Sequence, residues 1–94
     1  MKANEIFLLG RLWRDSNGNS YHTARITVNG EFVCITPVTY GYGLQYEETA
    51  RKWLHKNKYI KEVDGVHSLR RLCDDSGIRF DSASVDVKRK KELS

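Results

Sequence analysis

Ninety-four residues with 39% hydrophobic and 30% charged side chains suffice for one modest core and leave no room for a second domain. These fractions exclude wholesale disorder, and no apolar run is long enough to cross a bilayer or to act as a signal-peptide core. The expectation is a single domain spanning 1–94, cytoplasmic, with a basic tail at 88–94.

Residues 5–13 are apolar on both alternating sets, Ile6, Leu8 and Leu12 on one and Phe7, Leu9 and Trp13 on the other. That pattern predicts a central strand covered on both faces. Asn17-Gly18 then marks a reversal. Residues 20–28 alternate, with Ala24, Ile26 and Val28 on one face and Tyr21, Thr23, Arg25 and Thr27 on the other, which predicts a strand with one wet face. Asn29-Gly30 signals a second hairpin, and 31–39 a third strand, with Pro37 placing it at an edge or beside a bulge.

From residue 45 to about 56 the period becomes helical, since Tyr46, Ala50, Trp53 and Leu54 form one stripe. A shorter helix follows, carrying Val66, Leu69, Leu72 and Cys73, with Asp64 as its expected cap and Gly77 as its stop. Residues 78–87 read as a last strand. Ile78 and Phe80 share one parity, and Ala83, Val85 and Val87 the other, so a bulge is expected at Asp81-Ser82. The fold class is thus α+β: a three-stranded antiparallel meander, two helices and a C-terminal strand (βββααβ), with the helices on one face. Leu8, Leu12, Ile26, Ile35, Trp53 and Leu54 are expected in the core. The place of the fourth strand stays open.

Catalytic and metal motifs are missing. His22, His55 and His67 fall in three different elements without a zinc spacing and read as surface or boundary residues. Cys34 and Cys73 suit buried free thiols better than a disulfide framework or a metal site. No nucleophile elbow is present. A non-enzymatic protein is expected, without cofactor or metal.

Charge and aromatic placement point instead to binding. The formal net charge is +4, yet residues 1–48 carry four basic against five acidic groups and residues 49–94 twelve against seven. The positive excess of the second half favours an anionic partner. Candidate nucleic-acid contacts are Arg51, Lys52, Lys56, Arg70, Arg71, Lys88, Arg89, Lys90 and Lys91. Helix stability offers another use for some of them, through Glu47 with Arg51 and Glu48 with Lys52 at i,i+4. Asp74 and Asp75 oppose the dipole of the second helix and call for a basic partner. The run 88–91 reads equally as a phosphate-binding arm or a solvated tail.

The segment Tyr40-Gly41-Tyr42-Gly43-Leu44-Gln45-Tyr46 fits a tight strand-to-helix turn, an anion nest at a helix N-terminus, or a base-stacking platform. Trp13, Tyr40, Tyr42 and Tyr46 are the candidate partner-binding residues, and exposure of Trp13 beside Phe7 and Leu9 would favour a protein partner or a homodimer.

Val28-Asn29-Gly30-Glu31-Phe32, Thr39-Tyr40-Gly41-Tyr42-Gly43, Gln45-Tyr46, Thr49-Ala50 and the ending Val85-Asp86-Val87-Lys88-Arg89-Lys90-Lys91-Glu92-Leu93 together resemble small accessory proteins encoded by bacteriophages and prophages. The resemblance implies a non-enzymatic binder in a bacterial host cell that modulates nucleic-acid or defence machinery. It assigns no residue a role. Of the two binding classes, the sequence favours a protein-interaction module, with direct nucleic-acid binding as the alternative and no membrane partner.

Overall fold

The computed structural model describes residues 3–61 and 68–93. Its elements run β1 (Glu5–Arg14), β2 (Ser20–Val28), β3 (Glu31–Ile35), β4 (Thr39–Tyr40), α1 (Gln45–Lys56), α2 (Leu69–Asp75), β5 (Arg79–Asp86) and a 3₁₀ turn, Lys90–Leu93. The class is α+β, but the sheet is mixed and five-stranded, in the order β3-β2-β1-β5 with β4 also on β2. The expected antiparallel meander of three strands is corrected accordingly: β5 joins β1 in parallel, from Glu5↔Arg79 to Leu12↔Asp86. A parallel neighbour requires a crossover, and the segment holding α1 and α2 supplies it.

Period-two alternation sorts the sheet into two faces. Ile6, Leu8, Gly10 and Leu12 of β1 stand beside Val28, Ile26, Ala24 and His22 of β2. This face meets the buried residues of the helices: Tyr46, Ala50 and Leu54 of α1, and Leu69, Leu72 and Cys73 of α2. Of the expected core residues, Leu8, Leu12, Ile26 and Leu54 are buried, whereas Ile35 and Trp53 are half-buried. Ile35 pairs with Arg25 and so lies on the sheet's other face. Trp53 sits at the rim of α1, stacked on Tyr59 with centroids 5.7 Å apart.

Three local expectations change. The third strand breaks at residues 36–38, around Pro37, and resumes as β4, with a bulge opposite Ile26 and Thr27. The second helix begins at Leu69, capped by the Ser68 hydroxyl accepting from the Arg71 N–H at 3.1 Å; Asp64, Val66 and His67 lie outside the described residues. β5 keeps a continuous register with β1 and has no bulge at Asp81-Ser82. Its two apolar parities simply face opposite ways, Phe80 toward the helices and Ala83 and Val85 away from them.

Gly10 is the point of closest approach between the layers. A Cβ built there would lie 2.5 Å from Cγ of Tyr46 and nearly as close to both Cδ atoms, so the ring occupies the space that any side chain would need. Gly10→Ala is therefore expected to cost about 1–3 kcal/mol by overpacking, read by urea unfolding. Adding Tyr46→Leu should return part of that loss; a Gly10→Ala protein as stable as the parent would contradict this packing.

Candidate functional site

The face of the sheet turned away from the helices carries, across β5, β1, β2 and the edge, the rows Asp81, Phe7, Thr27, Phe32; then Ala83, Leu9, Arg25, Ile35; then Val85, Arg11, Thr23; then Trp13, Tyr21, Tyr40. Three of its aromatic side chains are well exposed, Phe7 at 39%, Phe32 at 57% and Tyr40 at 69%. Trp13 is half-buried and stacks on Tyr21, and Tyr40 meets Tyr21 edge-on, each pair with centroids 5.7 Å apart. β1 is thus central as expected, but only its helix-side residues are fully covered.

The C-terminal segment crosses this face and is anchored on it at both ends of the basic run. The Val87 N–H donates to the Leu12 carbonyl at 2.7 Å, Arg11 Nη1 donates to the Glu92 carbonyl at 3.1 Å, and the Thr23 hydroxyl donates to the Leu93 carbonyl. Leu93 is 1% exposed and does not belong to the helix-side core. Burying such a side chain stabilises by roughly 1.5–3 kcal/mol. Both ends of the run Lys88, Arg89, Lys90 and Lys91 are therefore tied down, and all four side chains remain exposed. Leu93 escapes sequence reasoning because one leucine after four cations carries no period; its isolation at the end of that run is the only signal.

Arg25 adds an unusual cation to the same face. Its guanidinium carbon lies 5.4 Å from the Phe32 ring centroid, a cation–π distance. Its Nε is buried without a hydrogen-bond partner, and among the described residues no carboxylate forms an ion pair with it.

The other predicted basic residues lie elsewhere. Arg51 is held by Glu48, through Nη2 to Oε1 at 2.5 Å and Nε to Oε2 at 3.0 Å, which replaces the expected Glu47 pairing. Lys52 and Lys56 are exposed on α1. Glu47 is 8% exposed; it accepts from the Ser82 hydroxyl at 2.9 Å and lies 3.6 Å from Arg70. Arg70 also covers the Phe80 ring at 5.0 Å. Arg71 pairs with Asp75 at 3.4 Å, so that aspartate finds its base on its own helix. Arg70 and Arg71 have structural partners, and only the 88–91 run joins the open face.

The aromatic set divides similarly. Tyr40 belongs to the open face with Trp13. Tyr46 is buried against Gly10. Tyr42 donates its O–H to Asp86 at 3.0 Å and lies under Arg14, 5.5 Å from the guanidinium carbon. That hydrogen bond and the Asp86 charge hold its phenol above the usual range, with Arg14 acting in the opposite direction. The loop itself is a turn: Gly41 and Gly43 take φ of 138° and 66°, and the N–H groups of Gly41, Gln45 and Glu47 donate to Ser20, Tyr42 and Leu44 carbonyls. Those three donors are therefore taken up within the turn and are not open to an anion.

His22 overturns the expectation of a surface histidine. It is 1% exposed, with Nδ1 3.0 Å from the Gly41 carbonyl and Nε2 2.7 Å from the Thr49 hydroxyl. The carbonyl can only accept, which assigns a hydrogen to Nδ1, while Nε2 and the Thr49 hydroxyl complete the second bond. It joins β2, the loop and α1. His55 is exposed on α1.

Among the described residues, no group of three or more His, Cys, Asp or Glu is gathered for a metal ion, and no helix is long and apolar enough to cross a membrane. Both cysteines are free, Cys73 buried and Cys34 half-buried. Burial raises the Cys34 thiol and pushes that of Cys73 up to about 11 against a small opposing effect of Arg70. Comparison with known protein families, curated proteins and solved structures finds no match to this chain. The functional reading rests on the geometry.

Two outcomes follow. Leu93→Ala should lower stability by about 2 kcal/mol or more and open the 88–91 run to trypsin, which the parent resists there under native conditions; equal cleavage of both would contradict a docked tail. Because the thiolate is the reactive form, modification of native Cys73 by a chromogenic disulfide reagent should be slow at pH 8. It should rise about tenfold per pH unit toward 11 and become fast at pH 8 only after unfolding. Fast labelling of the native Cys34→Ser variant at pH 8 would contradict the burial of Cys73.

Proposed function

We propose that this chain is a non-enzymatic binding protein that engages nucleic acid on the open face of its sheet. The observation that carries the reading is the fixed position of the 88–91 run. Val87 is tied to Leu12, Glu92 to Arg11 and Leu93 to Thr23, so the four adjacent cations between them are fixed beside this face, and Arg11 and Thr23 lie one row away from Trp13, Tyr21 and Tyr40. A phosphate backbone gains from such a ridge by releasing counterions, and the exposed rings beside it offer stacking surfaces. The excess of positive charge in the second half of the chain and the resemblance to phage accessory proteins support binding over catalysis.

Binding of another protein, which the sequence alone favoured, is the second reading. It is supported by the exposure of Phe7, Phe32 and Val85 on the same face. The three lysines of the exposed 88–91 run rank it below nucleic acid, because protein interfaces are depleted of lysine.

The test is fluorescence anisotropy with labelled DNA and RNA oligonucleotides at several salt concentrations. The parent is compared with a Lys88→Gln/Lys90→Gln/Lys91→Gln variant that keeps Leu93. The expected result is salt-sensitive binding in the parent, with a log–log salt slope shallower by about two in the variant, at about 0.7 per phosphate contact on a single strand. Absence of binding at low salt would overturn the proposal and leave the protein-partner reading.

A further inference from the structure

The open face carries two aromatic groups at different levels of the sheet. One is Trp13, Tyr21 and Tyr40; the other is Phe7 and Phe32. Phe7 and Trp13 are six residues apart on β1, which places the groups about 20 Å from each other at the rise of an extended strand. Between them lie Arg25, on the row next to Phe32, and the crossing segment with its four cations. Aromatic surfaces thus stand at both ends of a positively charged stretch.

That spacing discriminates between forms of nucleic acid. In a duplex the bases are stacked and paired inside, so exposed rings on a sheet have no base face to meet, and only the cations would contribute. Sequence-tolerant single-strand binding combines a basic track for the backbone with rings on which unstacked bases lie. Tyr40 and Phe32 are the most exposed of the open-face rings. Phe32 already carries the Arg25 guanidinium at 5.4 Å, and a buried N–H left without a partner, as on Arg25, marks a site whose polar groups call for a further explanation.

We infer that the open face takes single-stranded nucleic acid, with bases stacked on Tyr40 and Phe32 and phosphates held by Arg25 and the 88–91 run. This rests on the nucleic-acid reading above and adds the strandedness and the residues that set it. Arg25 serves both parts, offering charge to the backbone and, with Phe32, a composite apolar and cationic surface to a base.

The experiment compares an unstructured deoxythymidine tract with a duplex of equal length, using the parent and the variants Tyr40→Ala, Phe32→Ala, Phe32→Leu and Arg25→Met. The single strand should bind at least about tenfold more tightly than the duplex. Tyr40→Ala and Phe32→Ala should each weaken single-strand binding by roughly 5- to 150-fold, the equivalent of about 1–3 kcal/mol per stacked base. Phe32→Leu keeps the apolar cover but has no ring, and should lose about as much as the alanine variant. Arg25→Met should weaken binding and flatten the salt slope by somewhat under one. Equal affinity for duplex and single strand, or aromatic variants that bind as the parent does, would overturn the inference while leaving the nucleic-acid reading intact. Failure of the parent to bind either form would overturn both.

Discussion

β1 is apolar on both of its faces, and much of the molecule follows from the need to cover them. Ile6, Leu8 and Leu12 meet two helices and are at most 5% exposed. Phe7, Leu9 and Trp13 face the other way, where among the described residues neither α-helix packs and the segment 87–93 crosses instead. Leu93 provides it across Thr23 and Arg11. One hydrophobic anchor at the end of a charged run then converts that run from a solvated tail into part of a surface. The chain spends its helices on one side of the sheet and a single 3₁₀ turn on the other, which leaves aromatic rings in view.

The same division organises the charges. On the helix side, three arginines are matched within the fold: Arg51 to Glu48, Arg70 to the buried Glu47 and to Ser82, Arg71 to Asp75. Burying a carboxylate is costly unless such partners surround it. On the open side, Arg25 has no ion-pair partner among the described residues and the four cations of the run are exposed. The Glu47, Ser82 and Arg70 network also gives α1, α2 and β5 a common polar contact, on the side of β5 that its serines occupy.

Much of the architecture was legible in the sequence where a period decided it. The strands of the first 35 residues follow from alternation and two Asn-Gly turns, and α1 spans Gln45–Lys56 as its helical stripe predicts. What was not legible depended on contacts between distant segments. His22 is a core residue because Gly41 and Thr49, 19 and 27 positions away, satisfy its ring. The parity conflict of β5 read as a bulge because a strand with one buried face was assumed, whereas its two apolar sets lie on opposite faces, Phe80 toward the helices and Ala83 and Val85 exposed on the open face. The candidate site was half visible. Trp13, Tyr40 and the 88–91 run were identified, but Tyr42 and Tyr46 belong to other contacts; Tyr21 and Arg25 were legible only as the wet face of β2, and nothing local tied Phe32 of β3 to them.

The most direct test of the open face as the working surface is a two-dimensional amide and indole NMR titration of the protein with a short oligonucleotide. The account predicts shifts at the Trp13 indole, at Arg25 and Phe32, and along 88–93, with the amides of α1 and α2 nearly unmoved. Shifts confined to Lys52, Lys56 and Arg71 on the helical side, with the open face silent, would contradict it.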